Sequence, residues 1–142
     1  MSDRIFLDTN IFVYAVTVDG GDRSSIAEQL IEGSLESHDA VISYQVIQEF
    51  LSVVLTKFKV PLPVEQVRRY MATVFREMNI VHSSLGLFSE AIDIRFRHRI
   101  SWYDSLIVAA ASEARCTVLL SEDLQHGAKI NGVRIENPFL RH

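Results

Sequence analysis

Three aspartates stand at positions where a carboxylate is costly to bury. Asp8 ends an apolar run, Asp104 shares a helical face with Ile107 and Val108, and Asp123 follows a second apolar run. A carboxylate that loses its hydration needs a partner, and a divalent cation held by oxygen atoms is a natural one. The pattern therefore makes a metal-dependent enzyme the first hypothesis.

Each aspartate also has a structural interpretation. Ser101 and Asp104 fit the Ser-x-x-Asp form of a capping box, in which the acid also complements the positive end of the helix. Asp123 lies in a polar turn, where an acid is common. Asp8 has no neighbouring Gly or Pro that would explain it as a turn residue, so a functional role is favoured there.

Strands alternate with helices along the chain, which is typical of an α/β fold. Apolar periodicity predicts strands over 4–7, 40–43, 80–81, 117–120 and 133–135, and helices over 24–35, 45–58, 64–77, 85–98 and 101–113. We expect one domain over 1–142, a three-layer α/β/α sandwich with a mainly parallel central sheet. Ligands of such sheets bind beyond the carboxyl ends of the strands, where Asp8 and Asp123 would converge.

Other polar residues give weaker signals. Glu49 lies on the helical face of Ser52 and Thr56, so periodicity predicts a solvated position for it. The basic run 95–99 would either track a phosphate backbone or complement a helix dipole. The histidines show no ligand spacing, which favours surface or supporting roles over metal binding; they are His38, His82, His98, His126 and His142.

Composition narrows the class of protein. The single cysteine, Cys116, excludes an internal disulfide and a multi-cysteine zinc site, and its apolar neighbours predict a buried thiol. No signal peptide is visible and no apolar run is long enough to span a bilayer, so a soluble, cytoplasmic protein is expected. The net charge of −4 argues against a generic nucleic-acid binder, although two bound divalent cations would neutralise it.

Four segments, taken in order, resemble the motifs of the PIN-domain ribonucleases, and most closely the VapC-type toxins of toxin–antitoxin pairs. The segments are 6–10 (FLDTN), 43–50 (SYQVIQEF), 102–111 (WYDSLIVAAA) and 119–124 (LLSEDL). The closing segment 132–139 is similar to the usual final strand of the family, so the resemblance runs nearly from end to end.

The resemblance implies an acidic quartet that is both catalytic and metal-binding, formed by Asp8, Glu49, Asp104 and Asp123. Thr9, Asn10 and Ser121 would orient carboxylates or waters around it. Oxygen-only ligands suit Mg²⁺ or Mn²⁺, which would support in-line hydrolysis of RNA to a 5′-phosphate and a 3′-hydroxyl. The implied partners are RNA, a cognate antitoxin that covers the groove, and a second copy in a homodimer.

Two alternatives remain open from the sequence. One is a catalytically silent PIN-like module that binds RNA or protein. The other is a metal-dependent phosphatase or a DNA-directed nuclease of similar fold, which competition between RNA, DNA and a phosphate monoester would separate.

Overall fold

A six-stranded sheet forms the centre of the molecule. In the computed structural model, which describes residues 3–140, the strands are β1 (Ile5–Leu7), β2 (Ala40–Ser43), β3 (Asn79–Val81), β4 (Val118–Leu120), β5 (Lys129–Ile130) and β6 (Val133–Glu136). Their order across the sheet is β3-β2-β1-β4-β6-β5, and every pairing is parallel except that of β5 with β6. The expected α/β fold with a mainly parallel sheet is confirmed.

Residues 3–140 form six α-helices, of which α1 contacts both α2 and α3, and α5 contacts α6. The helices are α1 (Thr9–Ala15), α2 (Gly21–Ser37), α3 (Tyr44–Ser52), α4 (Val64–Thr73), α5 (Leu85–His98) and α6 (Trp102–Glu113). Serine is the N-cap of three of these helices. The side chains of Ser43, Ser84 and Ser101 each accept a hydrogen bond from the backbone N–H of the residue three positions later.

The hydrophobic core lies between the sheet and the helices. Phe6 and Leu7 of β1, together with Leu119 of β4, are fully buried, as is almost the whole of α6 from Ile107 to Ala111. Strands of a parallel sheet are covered on both faces, which is why these runs are continuously apolar instead of alternating. Cys116 is buried as predicted, and burial raises the pKa of its thiol to about 12.

Two elements were not predicted. Helix α1 begins directly after β1, because Asp8 caps it by accepting a hydrogen bond from the Thr9 N–H. The sequence pattern indicated only that Asp8 ends a strand. The two-residue strand β5 is too short to show periodicity. His142 lies outside the described residues.

Three predicted boundaries were wrong. Helix α2 begins at Gly21, not at Ser24. The Ser24 hydroxyl instead donates a hydrogen bond to the Tyr14 carbonyl. A side chain at Gly20 would clash with this hydroxyl, because its Cβ would lie 1.8 Å from the oxygen. The helix predicted over 64–77 ends at Thr73, and a 3₁₀ turn follows over Phe75–Glu77. The helix predicted over 45–58 changes at Val53 into a π-helical turn, Val53–Lys57.

No helix within residues 3–140 is long and apolar enough to cross a membrane.

Candidate active site

The predicted site residues meet at the carboxyl edge of the central strands. Asp8 follows β1, Ser121 follows β4, and the pairing of Leu7 with Leu120 places these two residues side by side. Helix α3, which carries Glu49, starts directly after β2. Helix α6 leads back into β4, so its first turn, with Asp104, lies at the same edge. The topology thus brings together residues that are more than 100 positions apart in the chain.

Asp8 is the most buried acid of the group, with 4% of its surface exposed. One carboxylate oxygen accepts a hydrogen bond from the Thr9 N–H at 2.7 Å, and the other accepts one from the Ser121 hydroxyl at 2.7 Å. Burial raises the pKa of Asp8 to about 6, against the lowering effect of these two donors, and repulsion from Asp123 and Glu49 adds to the rise. The site therefore holds this carboxylate in one orientation while disfavouring its charge.

Glu49 faces the site instead of solvent, so the solvated position predicted from periodicity was wrong. Its carboxylate accepts hydrogen bonds from the Thr9 hydroxyl at 2.7 Å and from Gln45 Nε2 at 3.0 Å. The same Gln45 nitrogen donates to the Tyr103 carbonyl, which ties α3 to the first turn of α6. Helical periodicity misses such a position because one of its donors, the Thr9 hydroxyl, comes from another element.

Asp123 lies in the loop that follows β4. Its N–H donates to the Ser121 hydroxyl at 3.2 Å, and its carboxylate accepts a long hydrogen bond, 3.4 Å, from Asn10 Nδ2. Burial raises the pKa of Asp123, and repulsion from Asp104 and other nearby carboxylates adds to the effect. Negative charge is thus concentrated at this edge of the sheet.

Asp104 occupies the first turn of α6 and is partly buried. Its N–H donates to the Ser101 hydroxyl at 3.1 Å, so the capping role predicted for Ser101 is present. The negative charge of Asp104 also contributes to the rise in the pKa of Asp123. An acid in the first turn of a helix can stabilise the positive end of that helix and also contribute its charge to a neighbouring site.

Residues 5–129 match the family model of the PIN domain. The chain belongs to the PIN-domain family. No curated protein sequence matches it significantly.

Solved structures that this PIN domain resembles include toxins at low sequence identity. A chain of a toxin–antitoxin complex from Klebsiella pneumoniae is 20% identical, with a TM-score of 0.71 over 95% of this chain and 98% of that one. A chain of VapBC2 from Rickettsia felis, bound to a DNA fragment from its promoter, is 21% identical, with a TM-score of 0.67 over 94% and 97%. VapC20 of Mycobacterium tuberculosis, a toxin that cleaves the sarcin–ricin loop, is 17% identical, with a TM-score of 0.65 over 84% and 91%.

A further acid, Glu122, anchors the loop of this PIN domain that carries Asp123. Its carboxylate accepts hydrogen bonds from the Tyr14 hydroxyl at 2.7 Å and from Arg23 Nε at 2.9 Å. The Arg23 guanidinium also lies over the rings of Tyr14 and Phe139, at 5.7 and 6.0 Å from their centroids. Sequence reasoning missed Glu122, because only the distant positions of its two donors reveal its role.

The acidic edge opens into a cavity of about 440 Å³. Its polar lining comes from α1, from the end of α3 with the π turn, and from the loop after β4. The polar residues with charged or amide side chains are Asn10, Glu49, Lys57 and Asp123. Of the four acids, Glu49 and Asp123 therefore line this cavity of the PIN domain, and Asp8 and Asp104 do not.

The four acids lie near one another, but their side chains are not arranged as a preformed metal-binding site. Within residues 3–140, no three acidic, histidine or cysteine side chains are arranged so that they could hold a metal ion. Asn10 Oδ1 is nevertheless buried without a hydrogen-bond partner, although its Nδ2 donates to Asp123. A buried acceptor without a donor is costly, and a cation or an ordered water would satisfy it.

Proposed function

We propose that this PIN domain is a metal-dependent endoribonuclease, the toxin of a toxin–antitoxin pair. The observation that carries the proposal is the convergence of Asp8, Glu49, Asp104 and Asp123 on one edge of the sheet, where their charges oppose one another. Concentrated carboxylates of this kind need a compensating cation. The toxin structures of similar fold support the biological role.

The donor set fits a hard divalent cation. The four acids offer oxygen atoms only, which suits Mg²⁺ or Mn²⁺ over zinc or copper, and Asn10 Oδ1 adds an unsatisfied acceptor. Bound there, the ion would activate a water and stabilise charge on the leaving oxygen of a phosphodiester. We infer that all four acids bind the metal and act in catalysis.

The surrounding side chains fix the orientation of these acids. Ser121 donates to Asp8, the Thr9 hydroxyl donates to Glu49, and Asn10 Nδ2 donates to Asp123. Each donor removes rotational freedom from a carboxylate before the substrate arrives, so less ordering is needed in the transition state. These are the supporting roles that we assign to Thr9, Asn10 and Ser121.

A catalytically silent module is the second candidate, and one observation favours it. The carboxylates of residues 3–140 are not gathered into a ligand cage of three or more. A PIN-like domain whose acids do not close around an ion would bind RNA or protein without cleaving it.

The proposed activity is tested with purified protein and total cellular RNA in Mn²⁺, in Mg²⁺ and in EDTA. We expect metal-dependent cleavage that Asp104→Asn abolishes, with new ends carrying a 5′-phosphate and a 3′-hydroxyl. Asp93→Asn is the matched control, because Asp93 is an exposed acid on α5 outside the site. Wild-type protein that binds Mn²⁺ but leaves RNA, DNA and a phosphate monoester intact would establish the silent module instead.

We also propose two protein partners, an antitoxin and a second copy of this chain. The similar structures include toxin–antitoxin complexes. The dimer is supported by an exposed apolar stripe along α5, formed by Leu85, Phe88, Ile92 and Phe96. These residues are three or four positions apart, so they lie on one face of the helix.

A further inference from the structure

Lys57 lines the same cavity as two of the four acids, Glu49 and Asp123. It is the one lysine, arginine or histidine among the described residues that line this cavity, where Glu49 and Asp123 provide the negative charge. The ion pairs within residues 3–140 are Arg23–Glu122 and Arg134–Glu136, so the Lys57 ammonium has no carboxylate partner. An exposed, unpaired cation beside an acidic site is available to an anionic ligand.

The π turn places Lys57 on the side of the helix that faces the site. The Phe58 N–H donates to the Val53 carbonyl five residues back at 3.0 Å, which closes the wider turn. An α-helix rotates about 100° per residue, so eight regular steps from Glu49 would leave Lys57 about 80° away around the axis. The wider π turn rotates less per residue than an α-helix, which reduces this offset and brings Lys57 towards the Glu49 direction.

In a uniform α-helix over 45–58, Lys57 would therefore lie further around the axis from Glu49 than it does here. Local π turns carry a cost in backbone geometry and are frequent at functional sites. Lys59, two residues further along, is also exposed but does not line the cavity. The two lysines thus differ in position while sharing charge, exposure and local sequence.

We propose that Lys57 binds a phosphate group of the RNA backbone beside the acidic site. The inference rests on the proposed function, since it assigns the contact for that same substrate. A carboxylate-rich site repels a polyanion, and one cation at its border holds a neighbouring phosphate by a charge-assisted hydrogen bond. The contact is made equally in the ground state and in the transition state, so it acts on the KM for RNA more than on kcat.

The test compares Lys57→Ala, Lys57→Arg and Lys59→Ala. Cleavage kinetics are measured on a single-stranded RNA oligonucleotide in Mn²⁺, and RNA affinity is measured by fluorescence anisotropy with each variant combined with Asp104→Asn. We expect Lys57→Ala to raise KM and Kd about fivefold or more, with kcat within about twofold of wild type. The slope of log affinity against log salt falls by about 0.7, the value for one phosphate contact on a single strand.

The control variants show whether the effect depends on the charge and on the position of Lys57. Lys57→Arg, which keeps the charge, restores most of the affinity, and Lys59→Ala stays close to wild type. Equal effects of Lys57→Ala and Lys59→Ala in a protein that cleaves RNA would overturn the Lys57 assignment alone. Tighter Mn²⁺ binding by Lys57→Ala with unchanged RNA affinity would also overturn it, because Lys57 would then be a counter-ion of the carboxylates. A wild type that neither binds nor cleaves RNA would remove the proposed function and this inference together.

Discussion

Asp8 combines opposing effects in a single side chain. Burial raises its pKa to about 6, while the Thr9 N–H and the Ser121 hydroxyl stabilise its charged form. At pH 7 and without metal, the folded protein must hold a buried carboxylate that the unfolded chain would hydrate freely. The residue is therefore expected to lower the stability of the metal-free protein, and its carboxylate is one of the metal ligands that we propose.

Asp8→Asn is accordingly expected to stabilise the metal-free protein while removing cleavage. The rise of the Asp8 pKa from 3.8 to about 6 corresponds to about 3 kcal/mol at high pH. Asparagine keeps the helix cap, so we expect the free energy of unfolding at pH 8 in EDTA to increase by about 1 to 3 kcal/mol. Urea denaturation of both proteins measures this difference.

The pH dependence of the free energy of unfolding tests the same prediction. The folded-state pKa of Asp8 is raised, so the folded protein binds the extra proton between about pH 4 and pH 6, and wild-type stability falls as pH rises through that window. The advantage of Asp8→Asn should therefore vanish near pH 4 and reach its full size above pH 6. Asp93→Asn serves as the control, and an advantage that stays constant from pH 4 to pH 8 would contradict the assignment.

At the scale of the elements, the sequence predicted which strand ends carry the acids better than it predicted the hydrogen-bond donors and the helix geometry around them. Asp8 and Asp123 were expected to converge because both follow parallel strands, and the structure places them at one edge. Glu49 was assigned only through the resemblance, since a 3.6-residue period separates core from surface and carries no information about donors such as the Thr9 hydroxyl. The π turn was missed for a related reason, because the same apolar pattern fits an uninterrupted helix.

The loop after β4 gives a prediction at this scale. Glu122 fixes that loop to α1 through Tyr14 and to α2 through Arg23, and the next residue is Asp123. Tyr14→Phe removes one hydrogen bond to a carboxylate and keeps the ring, so the loop should loosen while the core is preserved. We expect Mn²⁺ affinity, measured by isothermal titration, to fall roughly tenfold, as for other supports of metal ligands.

A matched control separates this effect from a general loss of stability. Glu136→Gln disrupts the ion pair with Arg134, which has a similar distance of 2.8 Å but lies within β6. Amide hydrogen exchange of Asp123 should accelerate in Tyr14→Phe and remain unchanged in Glu136→Gln. Unaltered exchange and Mn²⁺ affinity in Tyr14→Phe would show that the anchor has no bearing on the site.

At the scale of the whole molecule, the family match covers residues 5–129, and a single domain over 1–142 stays a prediction. The surface feature that the fold itself leaves unexplained is the α5 stripe. Leu85 and Phe96, near its two ends, are 86% and 87% exposed, and Ile92 lies between them. A row of large apolar side chains along a whole helix is unusual for the free surface of a monomer.

We expect a second copy of the chain to cover this stripe. A two-fold interface uses the same patch on both subunits, and two α5 helices running antiparallel would pack Ile92 near the axis with Phe88 of each copy towards Phe96 of the other. That arrangement also sets the basic end of each helix, with Arg95 and Arg97, against the apolar start of its partner.

Ile92→Glu tests the dimer directly. A buried charge at the centre of the interface would repel its own symmetry mate, so light scattering after size-exclusion chromatography should show a shift from dimer to monomer. Ile92 is 58% exposed within one chain, so the fold should remain intact, and the melting temperature of the isolated monomer checks this. Val60→Glu, at a position 78% exposed outside α5, is the control and should remain dimeric. A wild type that is monomeric alone and binds its antitoxin through α5 would assign the stripe to that partner instead.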